Sequence, residues 1–366
     1  PYMSVKQKGN SDNESANASM SVRTGRECFR ALSMPEAVTL ASGVYRVRAS
    51  VPSRSKATAD MVQTDEAFWT IFSFHFLSGE AFTKADCDAG LTRAVLDATT
   101  ARRLFGTTDA VGRTVQLDYV DYTVAGVVAD VSMLATAAYA QIWVPYTAAG
   151  AEAMSWQNDT MGPMHAIILA RSSADFDAIR EETELLRKKY NDGLQDVEVF
   201  YRGQPDTQLA YLYRRWYAEP DVPGVMLRYA IVVIILLLVP AVNLSGMTLS
   251  RMRRRMAEIG VRKAFGATGG ELMRQVFFEN LVLTLLAGIV GLALSYVATF
   301  ALNGFLFSNS MNASLSGETA LTPGMLLSPW AFIAAFAFCL LMNILSAGIP
   351  AWRASRMNIT DAINQR

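Results

Sequence analysis

The chain has few of the side chains that build metal and catalytic centres. Its 366 residues include three cysteines and two histidines, and no cysteine stands in a CxxC or Cys/His metal spacing. His75 and His165 have apolar neighbours, which favours packed or edge-strand histidines over metal ligands or catalytic bases. Cys28 and Cys87 could form a disulfide only if their half of the chain faces an oxidising compartment. We therefore expect no metal site.

The sequence also lacks the motifs of the common nucleotide-hydrolysing and acid–base enzymes. No GxxxxGKS or GxxxxGKT occurs, so the phosphate-binding loop of P-loop ATPases is absent from these residues. No Ser/His/Asp order and no pair of acids stands out, and Asp86, Asp88 and Asp118 are typical of solvated loops and turns. We predict that the chain is not itself an enzyme and binds no cofactor of its own.

Charged residues are scarce, at 18% where a soluble protein usually has about a quarter. Residues 1–225 hold 22 Lys/Arg against 28 Asp/Glu, a formal charge of −6, whereas residues 226–366 hold 11 against 5, a formal charge of +6. The net charge of zero is thus the sum of an acidic half and a basic half. A nucleic-acid binder would have a strongly basic balance, so this class is not favoured. The split predicts a water-soluble domain, residues 1–224, followed by a membrane domain, residues 225–366.

Three apolar runs in the second half are long enough to cross a membrane, which takes about twenty residues. They cover residues 225–249, 277–300 and 329–349, and none has a charge at its centre. The alternative is that these runs are helices buried in a soluble protein. Three such runs within about 125 residues argue against it. The sequence therefore predicts an all-α membrane domain with three visible spans.

The distribution of basic residues predicts the orientation of these spans. Residues 251–275 carry seven Lys/Arg and the tail, residues 350–366, carries three, whereas residues 301–328 carry none. By the positive-inside rule the basic loop and the tail are cytoplasmic, which places residues 1–224 outside the cell membrane. Because an external domain needs a segment that delivers it, we expect a further span upstream of this chain.

The first half has the pattern of an α+β domain. The polar first twenty residues predict a loop or an edge hairpin, and period-two alternation over 114–119 and 121–128 predicts a β-hairpin. Further strands are expected at 94–96, 142–145, 166–170 and 197–201. Helices are expected over 99–105, ending at Gly106, and over about 173–190, with Ser172 as N-cap and Phe176, Ile179, Thr183, Leu186 and Tyr190 on one face.

The basic loop carries the most specific signal. A short amphipathic helix over about 256–265 would suit the membrane interface or a groove in a partner protein, although a basic anchor that only sets the topology is the simpler alternative. Residues 258–267 read E-I-G-V-R-K-A-F-G-A. This closely resembles the R-x-x-E-I-G-(I/V)-R-(R/K)-A-L-G-A stretch of the MacB/LolC/FtsX-type ABC transporter permeases, with Phe265 in place of the usual Leu.

Two further regions extend the resemblance over nearly the whole chain. The end, Pro350-Ala351-Trp352-Arg353-Ala354 followed by Asp361-Ala362-Ile363, is similar to the family's P-A-x-x-A…P-x-E-A-(L/I) tail, although Ile359 and Asp361 replace its Pro and Glu. In the first half, short motifs such as F-L-S-G at 76–79 and A-R-R-L-F-G at 101–106 occur in the order of the family's MacB-like extracytoplasmic core domain. The resemblance implies that a MacB-like core domain precedes an FtsX-like permease domain.

The resemblance also implies partners and a coupling site. Such permeases work as dimers, of two copies or with a paralogue, on separate ATP-binding cassette ATPase subunits that bind the ATP and Mg. A coupling helix rests on the ATPase and transmits its movement to the outer domain, which is called mechanotransmission. The residues that match this helix are Glu258, Ile259, Gly260, Val261, Arg262, Lys263, Ala264, Phe265, Gly266 and Ala267.

Small residues in the second run predict close helix packing. Ala287, Gly291 and Ser295 recur at every fourth position, a spacing that lets helix backbones approach, either within one chain or between two copies. The resemblance then leaves two functions open for a multi-pass protein of the bacterial cytoplasmic (inner) membrane, in contact with lipid. One is export of antibiotic, peptide or lipoprotein cargo with a periplasmic adaptor and an outer-membrane channel. The other is a regulator that activates a cell-wall hydrolase or relays an envelope signal.

Overall fold

The computed structural model describes residues 3–10, 15–51, 56–133, 135–214, 218–254, 261–262, 265–307, 330 and 333–342. The chain divides into two compact units, with the main boundary between Val222 and Pro223. The predicted loop 301–328, the tail 350–366 and most of the predicted span 329–349 lie outside the described residues.

The first unit is α+β, as the sequence predicts. Its described strands are β1 (Met3–Gln7), β2 (Ala16–Ala18), β3 (Ala37–Ser42), β4 (Tyr45–Ser50), β5 (Lys56–Thr64), β6 (Phe76–Gly79), β7 (Arg93–Asp97), β8 (Thr114–Leu117), β9 (Val120–Val128), β10 (Ile142–Pro145), β11 (Met164–Leu169) and β12 (Val197–Phe200). Its described α-helices are α1 (Val22–Gly25), α2 (Phe68–Ile71), α3 (Lys84–Asp88), α4 (Ala98–Phe105), α5 (Phe176–Asp192) and α6 (Gln208–Tyr213). A π-helical turn, Arg26–Arg30, follows α1 directly.

Six strands of the largest sheet close into a ring. The sheet runs in the order β6-β9-β7-β10-β5-β4-β8, and β8 pairs again with β9. The β10–β5 and β7–β9 pairs are parallel and the other pairs are antiparallel. β6 lies outside the ring as an added strand on β9. Strand β9 pairs with both β8 and β6 because its first half forms the ladder with β8 and its last residues form the ladder with β6.

Period-two alternation sorts the side chains of the ring into two cores. Every second residue enters one buried cluster: Val47, Ala49, Ala59, Met61, Ala94, Leu96, Val115, Leu117, Tyr122, Val124, Ile142 and Val144. Helix α4 adds Leu104 and Phe105 to this cluster. On the opposite face, Trp143 and Val95 pack in an aromatic cluster with Phe68 and Phe82. The two clusters together give the strand layer a buried core on each face.

A third core lies under the remaining strands. β1 pairs with β12 and β2 in a three-stranded antiparallel sheet, and β3 pairs with β11. Helix α5 contributes Tyr190 to this core and also buries Ile179 and Thr183, whereas Phe176, which we expected on the same face, is 37% exposed in the first turn. The polar N-terminal segment is thus a hairpin, the second of the two predicted alternatives.

Local signals in the sequence account for several element boundaries. α4 ends where predicted, because Gly106 adopts φ 77° and closes the helix with a left-handed residue. Ser172 and Asp175 form a capping box ahead of α5, with a short 3-10 turn between cap and helix. The β8–β9 hairpin turns at Asp118 and Tyr119, both at positive φ, as a two-residue hairpin turn requires.

The two cysteines of the first unit are free thiols in separate clusters. Cys28 is buried in the core under β1 and Cys87 in the aromatic cluster. Burial raises the pKa of the Cys28 thiol to about 11 and that of the Cys87 thiol to about 12. The disulfide that the sequence leaves open is therefore not formed in this structure.

The second unit contains long apolar helices. These are α7 (Val222–Arg254), α8 (Gly269–Phe307) and the helical segment Ile333–Met342. Among the described residues, one stretch, Leu281–Ala298 within α8, is long and apolar enough to cross a membrane. Val222–Leu236 and Ile333–Met342 are shorter apolar helices. The span predicted over 277–300 has this length and composition, and the spans over 225–249 and 329–349 remain predictions.

Candidate coupling segment

The predicted coupling residues lie between the two longest helices of the second unit. The described part of α7 runs to Arg254 and α8 begins at Gly269, so the predicted residues lie between described helices of 33 and 39 residues. Of the ten predicted residues, the structure describes Val261, Arg262, Phe265, Gly266 and Ala267. Glu258, Ile259, Gly260, Lys263 and Ala264 lie outside the described residues.

The described part of this segment is the end of a short helix. Val261 and Arg262 are helical, and the Phe265 N–H donates to the Val261 carbonyl at 3.1 Å. The Ala267 N–H donates to the Arg262 carbonyl at 3.0 Å. This bond, between residues five apart in the sequence, is the 6→1 hydrogen bond of the Schellman motif that ends many helices. Gly266 stands at the left-handed position of that motif with φ 93°. Gly266 and Ala267, the last two residues of the sequence motif, thus terminate the short helix.

A capping box holds the start of the next helix. The Glu271 carboxylate accepts from the Thr268 N–H at 2.9 Å, and the Thr268 hydroxyl accepts from the Glu271 N–H at 3.3 Å. Hydrogen bonds from the Thr268 backbone and side chain to the carboxylate lower the pKa of Glu271. Sequence reasoning missed this pair, although Thr268-Gly269-Gly270-Glu271 has the spacing of a capping box. The short helix ends at Gly266 and Thr268 caps the start of α8. We call this tight connection, residues 265–268, the corner.

The corner presents an exposed aromatic ring. The Phe265 side chain is 89% exposed and the Val261 side chain is 51% exposed. The Arg262 guanidinium donates to Gln275 Oε1 at 2.6 Å, which joins the short helix to the first turns of α8. A shallow depression follows the corner and is lined by Arg262, Phe265, Gly266, Ala267, Glu271 and Gln275. This surface thus places an exposed apolar side chain beside polar groups.

The small residues predicted for helix packing lie on an exposed face of α8. Ala287, Gly291 and Ser295 are all exposed, and a Cβ on Gly291 would meet nothing within 4 Å. The contact with the helical segment Ile333–Met342 instead uses Gly288, where a Cβ would lie 3.3 Å from the Phe336 ring. The stripe is therefore turned away from this intramolecular contact, and its role in packing stays a prediction.

The histidines and acids that the sequence analysis considered as site candidates make other contacts in the described part of the chain. That part contains no group of three or more His, Cys, Asp or Glu that could hold a metal ion. His165 lies on β11 with Nε2 3.2 Å from the Ser19 hydroxyl, and His75 is exposed just ahead of β6. Asp118 accepts from the Arg48 N–H at 2.9 Å and lies in a turn, as predicted, whereas Asp86 lies in the first turn of helix α3 and caps it, which the prediction of a loop residue did not anticipate.

Two family models cover most of the chain. The model of the MacB-like periplasmic core domain matches residues 3–186, and that of the FtsX-like permease C-terminal matches residues 230–359. The first match contains the strand ring and the second contains the corner at Gly266. Their order along the chain is the order that the sequence motifs predict.

Curated relatives carry the same two regions. The macrolide export ATP-binding/permease protein MacB of Chromobacterium violaceum is 26% identical over 307 residues, which cover 83% of this chain and 43% of that protein. The protein of the same name from Escherichia coli K12 is 26% identical over 314 residues, covering 84% and 43% respectively. The chain thus spans less than half the length of these relatives.

Solved structures also align with the first half of the chain. The extracellular domain of the noncanonic ABC-type transporter YknZ from Gram-positive bacteria aligns with a TM-score of 0.39 and 16% identity, over 55% of this chain and 100% of that one. The periplasmic region of MacB from Actinobacillus actinomycetemcomitans aligns with a TM-score of 0.39 and 18% identity, over 54% and 87%.

The matches to a MacB-like periplasmic core domain and to an FtsX-like permease C-terminal define a protein of the permease class. With both family models matched in this order, the chain belongs to the MacB/FtsX-type ABC transporter permeases. This confirms the family resemblance that the motifs at 258–267 and in the first half predict.

Proposed function

We propose that the chain is the permease subunit of an ABC transporter and that it transmits ATP-driven movement from a cytoplasmic ATPase to its own extracytoplasmic unit. The observation that carries the proposal is the corner at Phe265 and Gly266, which presents an aromatic side chain with 89% exposure between two long helices. An exposed ring on a short, firmly stopped helix is suited to fill a groove on a partner protein.

The helices on either side supply a rigid connection to this corner. A helix of 39 residues is about 58 Å long, so α8 exceeds the ~30 Å hydrocarbon core. The capping box at Thr268 and Glu271 fixes its first turn to the corner, so a push on Phe265 moves the helix instead of bending a loop. We propose that residues 225–249, 277–300 and 329–349 span the bacterial cytoplasmic membrane, with the corner inside and residues 1–224 outside.

The proposed assembly contains more than this chain. An ATP-binding cassette ATPase would bind the ATP and Mg, and a second permease copy or a paralogue would complete the dimer. The relatives are named as macrolide exporters, which favours export of antibiotic-like, peptide or lipoprotein cargo, with a periplasmic adaptor and an outer-membrane channel as further partners. Co-purification from native membranes tests this choice: an adaptor or channel supports export, and a cell-wall hydrolase or sensor kinase contradicts it.

A matched pair of substitutions tests the coupling role. We expect Phe265→Ala to lower permease-stimulated ATP hydrolysis by about tenfold in the reconstituted complex, because aromatic anchors dominate such interfaces. Tyr119→Ala is the control, since Tyr119 is 82% exposed but lies on the β8–β9 turn of the first unit. Unchanged hydrolysis with Phe265→Ala, or an equal loss with Tyr119→Ala, would contradict the assignment.

A further inference from the structure

The short helix α6 exposes apolar side chains that the fold of the first unit does not cover. On this helix of six residues, Leu209 is 45% exposed, Tyr211 45% and Leu212 62%. Ala210 is the residue of this helix that enters the core, at 8% exposure. The apolar surface of α6 therefore faces away from the unit that carries it.

A buried ion pair fixes α6 in this orientation. The Arg214 guanidinium pairs with the Asp206 carboxylate, with Nη2 2.8 Å from Oδ1, and the two side chains are 2% and 7% exposed. Arg214 also donates to the Arg202 carbonyl at 3.1 Å and to the Ala218 carbonyl at 3.1 Å. At the other end, the Thr207 hydroxyl caps the helix through the Ala210 N–H. Both ends are held, so the exposed face cannot turn inward without breaking these bonds.

The position of α6 in the chain points to what covers this face. α7, whose apolar side chains such as Leu227 and Leu236 are 63% and 66% exposed, begins eight residues after Arg214. Eight residues reach at most about 28 Å, so the length of the connection limits how far α6 can be from the first residue of α7. The sequence from 211 to 217, Y-L-Y-R-R-W-Y, has the aromatic and basic residues that are enriched at membrane interfaces.

We propose that α6 is an interfacial anchor, whose Leu209, Tyr211 and Leu212 side chains lie among the lipid headgroups on the outer surface of the membrane. The bilayer supplies an apolar boundary for the leucines and a polar layer for the tyrosine hydroxyl. The proposal rests on insertion of α7 in the membrane and does not require an ATPase partner. It gives the first unit a second attachment to the bilayer, beside the covalent one through α7.

Spin labelling of the full-length protein tests the anchor. A nitroxide is attached to Leu212→Cys in proteoliposomes of phosphatidylethanolamine and phosphatidylglycerol, in a Cys339→Ala background, since Cys28 and Cys87 are buried. The control label is at Leu185→Cys, because Leu185 is 66% exposed on α5. Collision rates are measured with oxygen, which concentrates in lipid, and with a water-soluble nickel chelate. Leu209→Cys provides a second reporter on α6.

We expect the logarithm of the oxygen-to-nickel collision ratio to be positive at residues 209 and 212 and negative at residue 185. A negative value at residues 209 and 212 would place the helix in water and overturn the proposal. Exclusion of both reagents, together with spin–spin broadening, would show that a second copy covers α6, and exclusion without broadening would show another protein surface. Either result also overturns the lipid anchor. Because no ATP hydrolysis is measured, these outcomes are independent of the coupling role of Phe265.

Discussion

The Arg30 guanidinium and the Asp65 carboxylate meet at 3.3 Å, Nη1 to Oδ2, where the π-helical turn touches the end of strand β5. Asp65 is 1% exposed and accepts hydrogen bonds from the Thr39 hydroxyl at 2.6 Å and from the Leu40 N–H at 3.1 Å. Arg30 also donates to the Val38 carbonyl at 2.7 Å. One buried carboxylate thus joins the strand ring to β3 and to the turn that carries Cys28.

Removing the cation at this junction should destabilise the first unit. We expect Arg30→Met to lower the free energy of unfolding by about 3 kcal/mol, because it leaves the buried Asp65 charge without its counter-ion. The control is Arg23→Met, which removes an exposed ion pair with Glu27 and should cost less than about 1 kcal/mol. Urea titration followed by tryptophan fluorescence reports on the unit through Trp69 and Trp143, and equal costs for both variants would contradict the prediction.

Helix α4 should show an unusual pH dependence. Burial of the Asp97 carboxyl at its N-terminus raises the pKa to about 6, against about 3.9 in an unfolded chain. The native state therefore binds this proton more tightly, so the contribution of Asp97 to stability grows as the pH falls from about 6 to about 4, by up to about 3 kcal/mol. We expect Asp97→Asn to protect α4 from hydrogen exchange more than the wild type does at pH values above 6.

The control for this experiment has the opposite sign. Hydrogen bonds from Thr83 lower the pKa of Asp86 in the capping box of α3. Asp86 therefore stabilises α3 above the pKa of the unfolded chain, and this contribution disappears as the pH falls through the lower native pKa. Asp86→Asn should weaken protection of α3 at neutral pH and lose its effect in acid. Parallel pH curves for the two variants would refute both pKa shifts.

The orientation of the membrane domain can be tested by labelling introduced cysteines in intact spheroplasts with a membrane-impermeant maleimide. In a Cys339→Ala background, Ser316→Cys should react from outside and Thr268→Cys should not, because the basic residues of 251–275 favour the cytoplasmic side. Thr268→Cys should react after the membrane is opened, which controls for its accessibility. The reverse pattern would place the first unit in the cytoplasm.

Substitutions at Gly288 and Gly291 of α8 distinguish helix packing within one chain from packing between two copies. Gly288→Leu should destabilise the second unit, because its side chain would press on the Phe336 ring, 3.3 Å from a Cβ. Gly291→Leu meets no atom of the chain within 4 Å, so we expect it to leave the unit intact and weaken association of copies if the stripe is a dimer contact. Thermal melting and cross-linking in detergent measure the two effects, and unchanged cross-linking would remove the stripe from the interface.

Sequence patterns predicted those elements whose cause is local. The β8–β9 hairpin follows from alternation on either side of a two-residue turn, and the end of α4 follows from Gly106. The membrane run over 277–300 follows from composition alone. In each case the residues that decide the structure lie within a few positions of one another, so the single sequence contains the necessary information.

Long-range pairings were beyond the sequence. The sequence around Ala49 and Leu117 contains no local pattern that predicts their pairing, yet this pairing of β4 with β8 is needed to close the ring. The π-helical turn and the role of Asp65 also depend on contacts between segments far apart in the chain. At the corner, the motif predicted a coupling site, which stays a prediction, whereas the exposure of Phe265 and the helix end at Gly266 are features of the folded chain that the motif does not give.

The closed strand ring restricts how other proteins can recognise the first unit. An open sheet offers unpaired backbone groups at its edge, to which an extended peptide or another copy can add a strand. In the ring, β8 is paired on both sides, and β9 is paired with β7, β8 and β6. Recognition of this layer must then depend on side chains and on the outer edge of β6. The strands of the ring are thereby protected from indiscriminate edge-to-edge association.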